Sequence, residues 1–326
     1  MDALSWLLEP DVENPGVRYF ALRRLLGRPA DDPEVRQAQA AVMAHGPVPA
    51  ILAAQNPDGS WPAGFTSYKG TPKQVELLAE LGAGPVDPYG VLRDPADERV
   101  QRAGRFVLDH SIATTGGFAY YLPPVPSRVV YCHSDMQAYA LLALGFGSDP
   151  RLRGALEWQA RVVLGELPVG ERYYKSGASG PGFSCGFNQQ QPCAWGATKA
   201  LRAFLAVPED QRSPLVRRAI QASVDFLLSH DLAKADYPYT GKVSPAWFRL
   251  GFPFSFWSDV LETASLLVEL GHADRISATL DLIRSKQDAQ GRWTLESSFN
   301  GKMWVNIEKQ GQPSKWVTLR ALSVLK

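Results

Sequence analysis

Helix starts recur along this chain about every sixty residues, and that period limits the fold more than any other feature. The punctuation shows it first. LLGRPADDP ends at Pro33, LGAGPVDP at Pro88 and LGFGSDP at Pro150. In each, a Leu-Gly pair closes one helix and Asp-Pro opens the next, because glycine takes the left-handed position after a helix cheaply and aspartate caps a helix whose first turn holds proline. Weaker joints follow at Ser213-Pro214 and Leu270-Gly271. The segment after Ser213 is amphipathic, with Val216, Ile220, Val224, Leu227 and Leu228 on one face, as in a helix packed on one side.

A second set of helices starts near Pro15, Pro72, His133, Ala194, Trp257 and Ser314, at intervals of 57, 61, 61, 63 and 57 residues. Several of these, such as MQAYALLALGF at 136–146, are apolar almost all round and suit an enclosed position. Six helical hairpins with an enclosed and an exposed set predict an all-α double ring, an (α/α)6 toroid spanning 1–326 as one domain. An open superhelix of helix pairs is the competing architecture. Closure is favoured because Tyr68, His133, Trp195, Phe256, Trp257 and Trp316 gather at the enclosed starts, where an open rim would expose them. They are expected to converge on a central cavity.

Between an outer helix and the next inner one lies QNPDGSW at 55–61 and again QDAQGRW at 287–293. Glycine permits the reversal, glutamine bonds orphaned backbone groups at a helix end, and tryptophan covers the joint, so the repeated Gln-x-x-x-Gly-x-Trp reads as structural. GGFAYY at 116–121 looks like a degenerate third copy.

Composition narrows the function classes. With 326 residues, 45% of them hydrophobic, the chain buries a core without needing disulfides or metal. A net charge of +1 and no basic run argue against nucleic acid. MDALSWLLEPDVENP has no secretory leader pattern, and no apolar run approaches the ~18 residues of a membrane span. Three cysteines fit a reducing cytoplasm, with peripheral membrane contact left open. No Gly-x-Ser-x-Gly turn, phosphate loop or dinucleotide fingerprint is present, so no nucleotide cofactor is expected. Nothing in the chain speaks to oligomeric state.

The joint motif, on hairpins of this period, resembles the QW motif of the squalene-hopene cyclase and protein prenyltransferase superfamily, whose shared domain is an (α/α)6 toroid. More narrowly, the chain resembles bacterial single-domain proteins labelled as prenyltransferase or squalene-oxidase repeat proteins. The resemblance implies an apolar cavity for an isoprenoid-like chain, with Tyr68, Trp195, Phe256, Trp257 and Trp316 as its wall. It leaves the reaction open.

Cyclases of that superfamily that protonate an alkene use Asp-x-Asp-Asp at an inner-helix start, where this chain reads CHSDMQAYALL and keeps only Asp135. Asp135 is therefore either a proton donor or an aspartate serving the first turn of a helix. Asp259, followed one turn later by Glu262, is the second candidate acid. A diphosphate-binding Asp cluster is missing, since DDPEV at Asp31 reads as a cap. The Asp-x-Cys and histidine zinc site of the prenyltransferases is also missing, the matching place reading GFPFSFW.

Cys132 and His133 open the third inner helix, Cys193 the fourth, and Cys185 lies in the loop between. Equivalent positions on adjacent helices bring these four together as a zinc set, or leave the cysteines as small buried apolar residues. Three readings follow: a terpene cyclase-like enzyme acting on an isoprenoid or similar apolar chain, a non-catalytic lipid-binding protein with the same cavity, and a zinc-dependent transferase.

Overall fold

The structure, a computed structural model, describes residues 2–85, 97–167, 179–238 and 244–325. The Asp87-Pro88 joint and the glycine-rich stretch before Ser179 lie outside them. The fold is all-α, and among the described residues strands are confined to two ribbons of two residues a side.

The inner ring comprises α2 (Pro15–Phe20, continued by a π-helical turn Ala21–Leu25), α5 (Thr71–Leu81), α7 (Tyr131–Ala143), α9 (Ala194–Leu205), α11 (Val260–Glu269) and α13 (Lys315–Leu325). The outer elements are α1 (Ala3–Leu8), α3 (Pro33–Ala44), α6 (Glu98–His110), α8 (Pro150–Leu164), α10 (Pro214–Leu228) and α12 (Ser277–Ser285), with the short α4 (Pro47–Ala53) filling the first joint. Every expected inner start falls within three residues of an observed one.

The caps behave as their chemistry requires. Asp32, Asp149 and Ser213 each accept a first-turn N–H of α3, α8 and α10, with proline next in line. Asp97 plays that part for α6. Outer helices bury one face, as α10 does with Val216, Ala219, Val224 and Leu227. Inner helices bury almost everything: in α5 all residues but Lys73 are buried.

The ring closes. α5 packs on α7, α7 on α9, α9 on α11, α11 on α13, and α13 on α2. The first inner helix meets the second where Gly16 lies so near the Leu81 carbonyl that a Cβ would sit 2.4 Å from its oxygen. At the seam Trp316 is 2% exposed, stacks on Phe252 with ring centres 4.3 Å apart, and donates its indole N–H to Asn14 Oδ1 at 3.1 Å.

The two Gln-x-x-x-Gly-x-Trp joints are built alike. Trp61 donates Nε1–H to the Ile51 carbonyl at 2.9 Å, and Trp293 donates to the Ile283 carbonyl at 2.7 Å, ten residues back in both cases. The Trp61 N–H meets Thr71 Oγ1, and the Trp293 N–H meets Thr318 Oγ1, each at 3.0 Å. Gly59 and Gly291 carry φ of +93° and +79°, which favours glycine there. GGFAYY shares part of this geometry: Gly116 has φ +110°, Phe118 is fully buried, and its N–H meets Ser134 Oγ at 3.2 Å.

Candidate functional site

Helix α7 and helix α9 start side by side, and the segment between them carries a small hairpin, β1 (Ser184–Cys185) against β2 (Gln191–Pro192). Tyr131 pins that hairpin to α7, its N–H bonding Ser179 Oγ at 2.9 Å and its hydroxyl donating to the Gly180 carbonyl. Asn188 holds the other side, donating to the Pro192 and Pro238 carbonyls at 2.9 and 2.8 Å. Together these elements wall a cavity of about 270 Å³ at the N-terminal end of the inner ring.

Trp195 and Phe256 line this cavity as expected, joined by Tyr120 from the third joint. Tyr120 meets Phe256 and His133 edge-on, with ring centres 6.2 and 5.2 Å apart. Tyr68 and Trp257 stand behind the wall, packed on Phe299 at 4.6 and 5.7 Å. Trp316 is no part of it, because its ring is spent on closing the toroid. At the lip, Phe187 is 81% exposed.

All three cysteines and His133 line the same cavity. They do not fit a zinc ion. Among the described residues no group of three His, Cys, Asp or Glu side chains converges to hold a metal. Cys185 and Cys193 instead face each other as diagonal neighbours on the hairpin, and Cys132 and His133 stay on α7. Burial raises the Cys132 thiol to about 12. Burial likewise lowers His133 to about 4, so the ring is neutral at physiological pH. It bonds the Ala119 backbone, and its Nε2, buried, meets no described partner.

The two candidate acids part company. Asp259 is N-cap of α11, accepting from Glu262 N–H at 2.7 Å and from Gly251 N–H at 3.1 Å, and its two oxygens take both arms of the Arg320 guanidinium at 2.7 and 3.0 Å. A carboxylate so committed makes a structural ion pair. Asp135 is the reverse. It is 1% exposed, neither oxygen has a described hydrogen-bond partner, and burial pushes its carboxyl well above 3.8. It lies one turn along from Tyr131, on the flank of α7 where Tyr131 touches Gly196, and the cavity wall at this helix end is made by Tyr131, Cys132 and His133.

Below the cavity the lumen is closed by a feature no motif announced. Phe254, in the loop before α11, reaches across the ring to α5: its N–H donates to Glu80 Oε2 at 2.8 Å, and its carbonyl accepts from Lys73 Nζ at 2.6 Å. Lys199, Arg202 and Arg320 surround its ring at 5.1, 4.1 and 4.4 Å from the centre. Lys199 is gripped by both Glu262 oxygens at 2.8 and 2.6 Å, and Lys73 pairs with Glu76 at 2.8 Å. Burial lowers Lys199 and raises Glu80, each opposed by its ionic partners. Beyond this plug a second cavity of about 220 Å³, reached by Arg24 and Tyr139, opens at the other end.

No protein-family model matches the chain, and no curated protein matches it. Among solved structures it is similar to the apo type II terpene cyclase MstE from Scytonema, at 15% identity and a TM-score of 0.46, covering 99% of this chain and 95% of that one. It is also similar to a variant family 10 polysaccharide lyase from Cellvibrio cellulosa, at 10% identity and a TM-score of 0.33, covering 71% and 80%. A complex of an MstE variant with geranylgeranyl dihydroxybenzoate, that enzyme's substrate, matches at 12% identity and a TM-score of 0.30 over 89% and 95%.

Proposed function

We propose that the protein binds an isoprenoid-like or similarly apolar chain in the cavity at the N-terminal end of its inner ring. The observation that carries this reading is the aromatic wall of Tyr120, Trp195 and Phe256 behind an exposed Phe187. A volume of about 270 Å³ is just below the roughly 300–1,000 Å³ of ordinary ligand sites, so the cavity takes a short chain or one end of a longer one. The ionic plug beneath it stops a long chain from threading the ring. Native mass spectrometry of the purified protein, alone and with added geraniol or farnesol, tests the reading. A one-to-one complex weakened by Trp195→Ala and Phe256→Ala is expected, and failure of both prenols to bind overturns it.

A cyclase-like reaction is the second reading, favoured by one observation: Asp135 is a buried carboxyl with no described partner, and burial pushes its pKa well above 3.8. A group of this kind donates a proton where an ionised acid does not. If it starts the reaction, Asp135→Asn abolishes turnover of a short polyprenol and leaves binding intact. Unchanged turnover excludes this mechanism.

A further inference from the structure

His133 brings an unmet hydrogen-bonding atom to the wall of the apolar cavity. It stands in the first turn of α7, is 4% exposed, and lines the cavity beside Tyr120, whose ring meets the imidazole edge-on with centres 5.2 Å apart. Its Nε2 is buried and has no described hydrogen-bond partner. A nitrogen in that position has given up the hydrogen bond that water supplies in the unfolded chain, and a ligand that brings a partner restores it. Two other polar groups of the wall are already engaged: the Tyr131 hydroxyl donates to the Gly180 carbonyl, and the Asn188 amide donates to the Pro192 and Pro238 carbonyls. The cavity is thus polarised along its length, with the unmet nitrogen of His133 at a buried end and Phe187, 81% exposed, at the lip.

The chemistry of imidazole narrows the partner. Nε2 is a lone pair in one neutral tautomer and an N–H in the other. A hydroxyl both donates and accepts, so it pairs with either form. A hydrocarbon end pairs with neither. A diphosphate would carry several charges in among Tyr120, Trp195 and Phe256, where one ring nitrogen does not offset their loss of water.

We infer that the polar head of the ligand is an uncharged hydroxyl held by Nε2 of His133, so that the site takes an apolar alcohol head-first, its chain running out past Trp195 and Phe187. The inference rests on the reading of the cavity as an apolar site and adds the head group and its orientation.

The test uses the intact protein with geraniol, with the dimethyloctadiene that has the same carbon skeleton and no hydroxyl, and with geranyl phosphate, each titrated by quenching of tryptophan fluorescence. Geraniol and the diene should both bind the wild type. His133→Phe keeps a ring and removes the nitrogens, so it should weaken geraniol about tenfold relative to the diene, the loss of one buried hydrogen bond. Comparing the two ligands within each protein cancels their difference in hydrophobicity. Farnesol should bind no more weakly than geraniol, because its added chain lies at the lip. Nitrogen-15 spectra of the histidine-labelled wild type need no change at His133: one Nε2 resonance should move with geraniol and stay with the diene. Replacing His45, His110, His230 and His272 in turn assigns that resonance by elimination, and these spectra decide alone if His133→Phe does not fold. The inference is overturned if no histidine resonance separates geraniol from the diene, or if the one that does belongs to another histidine. Equal weakening of both ligands in folded His133→Phe, exclusion of farnesol, or tighter binding of geranyl phosphate than of geraniol overturns it too, and in each of these cases the apolar site stands. If neither geraniol nor the diene binds, the apolar site itself fails, and the hydroxyl assignment with it.

Discussion

Replacing Asp135 by Asn should change how stability depends on pH more than it changes stability itself. The carboxyl is 1% exposed, meets no described hydrogen-bond partner, and is held by burial well above 3.8. In the unfolded chain it ionises at its ordinary value, and in the fold burial makes it hold its proton to higher pH. Between those two values the folded state binds more protons, so stability falls as pH rises. The contribution of this group is complete below about 3.8 and is lost as pH climbs toward the folded value. One titrating group gives a slope of at most about 1.4 kcal/mol per pH unit. Asn has nearly the same shape and does not titrate. Near pH 4 the variant carries only the cost of unpartnered amide groups, about 1–3 kcal/mol. Above pH 4 the comparison moves in its favour by up to about 1.4 kcal/mol per pH unit until the folded value is reached. Urea unfolding of both proteins at pH 4, 5.5 and 7 measures the difference, in which every other titrating group cancels. Parallel stability curves would refute the reasoning, because they would mean that Asp135 is ionised in the fold. They would also remove it as a proton donor.

The remaining expectations concern the plug and the joints. Glu262→Gln strips both carboxylate contacts from Lys199, whose side chain is fully buried, and should cost about 3–5 kcal/mol in urea unfolding. Adding Lys199→Met should recover much of that loss, and simple additivity of the two substitutions would show that the pair is not coupled. Trp61→Phe and Trp293→Phe each remove one indole-to-carbonyl hydrogen bond, worth about 1 kcal/mol. Thermal denaturation should give losses that agree within about 0.5 kcal/mol; a larger disparity would mean that the two joints are not energetically equivalent.

The site was legible in part. Trp195 and Phe256 could be named because large apolar residues at enclosed helix starts have few other places to go. Trp316 occupies the same position in its repeat, yet it is the last inner helix, and its ring is used to seal the seam with Asn14. The four proposed zinc ligands did gather in one cavity, as the sixty-residue period required. Their separation into a thiol pair and an unconnected Cys132 and His133 was decided by hairpin register, and two-residue strands carry almost no sequence signal. Tyr120 went unnamed because it stands in a joint, where only the motif residues drew attention.

Local chemistry written in the sequence was enough to determine the helix starts, the joints and the double ring. Asp-Pro and Ser-Pro caps, glycines at positive φ and tryptophans ten residues past a carbonyl act within a few turns of chain, so their consequences need no distant partner. The interior of the ring was settled only in three dimensions. Lys73, Glu76 and Glu80 on α5, or Lys199 and Arg202 on α9, have the spacing of an ordinary solvated helix face. Closure of the ring turns that face inward, removes its water, and leads Glu80 and Lys199 to partners on other helices, while Lys73 pairs with Glu76 one turn along α5 and with the Phe254 carbonyl. Glu80 and Glu262 do so from opposite sides of the lumen, around a phenylalanine from a loop with no helical period. Because those contacts join residues 60 to 181 positions apart, no window along the sequence contains both partners.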